Sequence, residues 1–188
     1  MLTRRAVLGA ATAAVLLAGA ASYAEATQLI LIGGGEEGSV HTQAARQVCR
    51  SVEEHAGDEY GCIARSAPGS AFNIRAVEIG MMEFGLAQSG SAREAVSGSG
   101  AWEGSPAARL RSVFSLGPEK AEMVSSADVA EALVYDLTTA VFETLDALRE
   151  AHPALRDLDA AAMVQGLSAP LHAGVARYYR ERGWLEAQ

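Results

Sequence analysis

Three glycines, Gly33, Gly35 and Gly38, stand at G-x-G-x-x-G spacing between an apolar run, Gln28 to Ile32, and a helix-starting serine, Ser39. Glycines so placed let backbone N–H groups close on a phosphate at a helix N-terminus, so the first chemistry to weigh is dinucleotide binding. The neighbouring residues oppose it. Glu36 and Glu37 would face the pyrophosphate, and the next strand ends in Arg65-Ser66 where an acid for the ribose belongs. The same geometry suits a smaller anion such as a carboxylate, held by backbone N–H groups and by helix N-termini at Ser39 and Ser70. No nucleophile elbow and no Ser-His-Asp or Cys-His arrangement with supporting spacing is present, so no enzymatic activity is expected. His41, His55, His152 and His172 share no ligand spacing with one another or with the cysteines, and neither a metal nor a cofactor is expected.

The elements that position these residues alternate. Gln28 to Ile32 reads as a strand, and Ser39 caps a helix to about His55 with Val40, Ala44, Ala45, Val48 and Val52 on one face. Tyr60 to Ser66 is a second strand. A second helix begins at Ser70 and carries Phe72, Ile74, Val77 and Ile79; Glu83 to Gln88 is a third strand, with Phe84 and Leu86 inward. This βαβαβ order implies an α/β fold with a parallel core, whose ligands sit beyond the strands' carboxyl ends: the glycine loop, Ser66 to Ser70, and Gln88-Ser89. A stretch rich in Gly, Ser and Ala follows, then strands at Leu110 to Leu116 and Ala121 to Ser125 joined by a turn at Gly117-Pro118-Glu119-Lys120. From Ser126 the chain turns helical. Asp128 and Glu131 have capping-box spacing, and Leu133, Val134, Leu137, Val141, Leu145 and Leu148 form a stripe that ends at Pro153. Shorter helices are expected at about Leu158 to Gln165 and Leu171 to Arg182, with Tyr178-Tyr179 in the core.

Arg4-Arg5, the apolar stretch Ala6 to Ala21 and the small-residue site Ala24-Glu25-Ala26 read as a signal peptide cleaved after Ala26, by the ordinary secretory or the twin-arginine route. The expectation is a periplasmic product. Without Arg4, Arg5 and Glu25 the 15 basic and 23 acidic side chains fall to 13 and 22, net −9, which opposes nucleic acid and anionic membrane surfaces as partners. In an oxidising compartment the only two cysteines, Cys49 and Cys62, are expected to form a disulfide linking the end of the first helix to the start of the second strand.

The order of several motifs carries more than any one of them. Ile32-Gly33 through Gly38-Ser39-Val40, Cys49-Arg50 with Gly61-Cys62, Pro68-Gly69-Ser70 with Asn73-Ile74, Phe84 to Ser89, and Leu110 to Leu116 resemble the TAXI family of TRAP transporter solute-binding proteins. Ala132 to Glu143, His152 to Leu155, and Gly166 to His172 with Ala176 to Tyr179 resemble the C-terminal end of the same family. The resemblance implies a three-layer lobe of the periplasmic binding protein type II kind, built from both chain ends, with C-terminal helices. Residues 27–119 would be its N-terminal part and 120–188 its C-terminal helical part, and the second lobe usually inserted between them is absent. Ligand-contact roles implied by position fall on Gly35, Ser39, Ser70, Asn73, Gln88 and Ser89. The chain departs from the pattern at Gly34, His41, Thr42 and Gly90; His41 and Thr42 stand where the family carries a tyrosine pair and join the candidates. Implied partners are a small carboxylate or amino-acid solute and TRAP transporter membrane subunits. An alternative is a binding-defective single-lobe module that pairs with a second copy as a homodimer through the open cleft or modulates a full-length partner.

Overall fold

The computed structural model describes residues 27–117 and 121–185. The expected signal peptide and residues 118–120 of the expected turn lie outside them.

Strands β1 (Gln28–Gly33), β2 (Tyr60–Arg65), β3 (Phe84–Gln88), β4 (Leu110–Ser115) and β5 (Ala121–Ser126) form one sheet in the order β2-β1-β3-β5-β4. β1 pairs in parallel with both β2 and β3, which gives the expected βαβαβ unit. The sheet as a whole is mixed, because β5 runs antiparallel to β3 and β4 runs antiparallel to β5. β5, the first strand after the turn, thus lies between two strands that precede it.

Strand alternation decides which side chains meet which helices. On one face Ile30, Ile32, Phe84, Leu86 and Met123 pack with α1 (Val40–Ala56), α4 (Glu131–Glu143) and α7 (Ala173–Glu181). On the other, Ala87 and Val124 meet Ile74 and Val77 of α2 (Ser70–Glu78) and Ala92 and Ala95 of α3 (Ser89–Ser97). The result is a three-layer α/β lobe. Each fully buried Ile, Leu or Phe contributes on the order of 1.5–3 kcal/mol. Coverage of the second face stops short of the β2 edge, where Leu29 and Ile63 are 51% and 37% exposed.

Several elements depart from the sequence pattern. Phe72 and Ile79 are exposed at 41% and 66%, since α2 buries only the face carrying Asn73, Ile74, Ala76 and Val77. No capping box forms: α4 starts after Ala130 without a side-chain cap, while Asp128 Oδ2 pairs with Arg109 Nη1 at 3.0 Å. The long helix breaks at Thr144, whose hydroxyl lies 2.7 Å from Ala140 O and 2.6 Å from Ser51 Oγ, and resumes as α5 (Leu145–Glu150). All six stripe residues from Leu133 to Leu148 are nevertheless buried. The two last helices are shorter than their apolar patterns, because side-chain caps set their starts: Asp159 for α6 (Ala160–Met163) and His172 for α7. Tyr178 and Tyr179 are buried as expected. Cys49 and Cys62 form the disulfide, but from mid-helix in α1 to mid-strand in β2, with Cα atoms 5.0 Å apart.

Candidate functional site

The carboxyl ends of β1, β2 and β3 bring the glycine loop, the Ser66–Ser70 loop and the Gln88-Ser89 corner to one end of the sheet. Two buried side chains fix the loop's path. Asn73, fully buried in α2, points its Nδ2 at the carbonyls of Gly34 (2.6 Å), Leu86 (2.7 Å) and Gly33 (3.2 Å), while its Oδ1 is buried without a protein partner. Thr42, also fully buried, accepts from Gly35 N (3.1 Å) and places its hydroxyl 2.8 Å from both Gly35 O and Glu36 O. The sequence-nominated residues Thr42 and Asn73 therefore lie beneath the loop and hold its backbone. The approach is close enough to require glycine: a Cβ on Gly34 would come within 2.8 Å of Thr42 Cα, and one on Gly35 within 2.7 Å of Ser39 Oγ.

Ser39 caps α1, its Oγ accepting from Thr42 N at 3.3 Å. Ser70 Oγ accepts from Gln88 N at 3.0 Å and so ties the second helix start to the end of β3. Gln88 is exposed, whereas Ser39, His41, Ser70 and Ser89 are half-buried and Gly35 is buried. The arrangement joins two helix starts and a backbone loop, a surface that offers N–H and O–H donors to a small anion.

One clamp at this end was not legible in the sequence. Glu37 accepts from Ser66 Oγ (2.5 Å) and pairs with Arg46 Nη2 (2.6 Å), so one carboxylate joins the glycine loop, the end of β2 and α1. Those hydrogen bonds, the Ser66 one first, hold its carboxyl below the usual carboxylate range. Spacings of 9 and 29 residues have no local pattern that would have revealed it. Ser168 is a second addition, donating from Oγ to Ser89 O at 2.9 Å and from its backbone N–H to the buried Glu122 Oε2 at 3.2 Å. Beside Ser89 lies a recess of about 600 Å³ lined by Gly90, Arg93, Ser115, Gln165 and Gly166. No group of three or more His, Cys, Asp or Glu side chains is placed to hold a metal among the described residues.

No curated protein matches the chain. A family model described as NMT1-like matches it in two blocks, residues 32–130 and 120–183, which between them take in the end of β1, the glycine loop, strands β2 to β5 and the C-terminal helices. The family is periplasmic binding protein-like, in keeping with the three-layer lobe. The chain belongs to the NMT1-like family.

Proposed function

We propose that this protein is the extracytoplasmic solute-binding component of a TAXI-type TRAP transporter, taking a small organic acid or amino acid and passing it to membrane subunits. The observation that carries the reading is the family match across both ends of one lobe, together with a glycine loop and two helix starts gathered where such a lobe would meet its solute. Gly35, Ser39, His41, Ser70, Gln88 and Ser89 would contact the solute, with Thr42 and Asn73 holding the loop in place. The chemistry is binding without catalysis. Export as a periplasmic protein, with cleavage after Ala26, belongs to the same proposal.

A second reading has its own support. The two family matches overlap over residues 120–130, on and just after β5, directly following the point between residues 119 and 120 where the sequence resemblance puts the junction of the blocks. In this reading the chain is a single lobe closed by the β4–β5 pair, with the intervening lobe absent. A half-site open to solvent buries less of a ligand than a two-lobed cleft, so weak capture is expected of the monomer.

The test is thermal unfolding of the chain from Thr27 against a panel of amino acids and organic acids, because a ligand of the folded state raises the midpoint by mass action. An upward shift confined to one carboxylate class supports solute capture. A cooperative transition that nothing shifts supports the binding-defective module.

A further inference from the structure

We infer that His172 is an acid-sensitive latch that keeps the C-terminal segment, including α7, closed against the sheet and against Ser89. The ring is 2% exposed and is held at both nitrogens. Nδ1 accepts from Gly174 N at 3.2 Å, capping α7, and Nε2 lies 3.1 Å from Val129 O, to which it donates. Both contacts are satisfied only by the neutral ring protonated at Nε2. Adding a proton at Nδ1 sets a donor against the Gly174 N–H, and the cap is lost. There is no slack to absorb the change: a Cβ on Gly174 would meet the backbone of Glu131 and Tyr135, so α7 sits directly on α4.

The latch is continuous with the candidate site. His172 N donates to Ser112 O (3.1 Å), Ser112 N to Pro170 O (2.9 Å), and Ala169 N to Ser112 Oγ (3.0 Å). The next residue, Ser168, holds Ser89 O and Glu122. Releasing residues 168–172 therefore frees Ser89 as well as α7. The charged groups facing the ring are Arg111 on β4, which disfavours its proton, and Glu131 on α4, which favours it. Burial is the largest influence and lowers the proton affinity of His172 below the ordinary value of 6.5, against the carbonyls of Val129 and Ser126. The sign follows: the closed segment is fully stable above pH 6.5, the value of a freed histidine, and loses stability as pH falls toward the depressed value of the closed state. One proton linked to opening raises the open population by up to about tenfold per pH unit in that window.

The experiment is residue-resolved amide exchange, corrected for intrinsic rates, at pH 7.5 and 5.0, on the wild type and on His172→Asn. Asparagine keeps an uncharged capping acceptor. His152→Asn is the comparison, since His152 caps Ala154 N in the same way from a half-buried position. Expected is acid-dependent opening of residues 168–181 ahead of α1 in the wild type and in His152→Asn, and its loss in His172→Asn. Equal acid opening in His172→Asn, or opening of α1 and α7 together, overturns the latch. Should His172→Asn fail to fold, nitrogen shifts of the wild-type ring decide: ring protonation in step with exchange at Gly174 supports the latch, and protonation with α7 still protected overturns it. None of these outcomes depends on whether a solute binds.

Discussion

Asn73 does the work of a backbone at the candidate site, its Nδ2 pointing at three carbonyls, those of Gly33 at the end of β1, Gly34 just after it and Leu86 of β3. Asn73→Ala removes that donor from three buried carbonyls, and a loss of about 1–3 kcal/mol in denaturant unfolding is expected. Asn73→Asp should cost more, because a carboxylate would face carbonyl oxygens. Gly34→Ala tests the close approach from the other side. Its Cβ would press on the Thr42 backbone, which cannot rotate away, so about 1–3 kcal/mol of destabilisation is expected, with loop amide shifts centred on Gly35. Position in the family resemblance nominated Thr42 and Asn73 as ligand contacts; full burial makes them supports of the loop.

At the scale of elements, the disulfide and the α4 stripe bind the layers together. The Cys49–Cys62 bridge closes a loop with a sequence separation of 13, joining α1 to β2 at the open edge of the sheet. Replacing both cysteines with alanine should lower unfolding free energy by about 3 kcal/mol on the chain-entropy account. A loss under about 1 kcal/mol would mean that α1 and β2 are held by packing alone. Leu137, fully buried on α4, gives the packing comparison: Leu137→Ala should cost about 2–5 kcal/mol, read by the same unfolding curve. Acid should act on a different element, α7, through the His172 cap and not through the disulfide or the stripe.

For the whole molecule, the topology makes the two blocks one folding unit. β5 lies between β3 and β4, and α1 packs on α4, with Tyr60 OH donating to Asp136 at 2.9 Å across the join. A fragment of residues 27–117 would keep β4 with no strand between it and β3. It should show no cooperative transition by circular dichroism, whereas the chain from Thr27 should unfold in a single one. A cooperative melt of the fragment would mean that the first block folds without β5.

The sequence by itself determined the strand order along the chain and the helices other than α3, the inward stripe of α1 and α4, the disulfide partners and the end of the sheet where the glycine loop and helix starts gather. These follow from periodicity, caps and cysteine count, which are local or exhaustive. Tertiary structure alone decided the rest. Antiparallel insertion of β5 depends on pairings between residues far apart in the chain, and sheet order leaves no mark on periodicity. The exposure of Phe72 depends on where α2 settles across the sheet, and the missing capping box on Arg109 drawing Asp128 away from α4. Whether Thr42 and Asn73 face a solute or a backbone was a question of depth. Spacing carries no information about depth, because burial is set by what packs above.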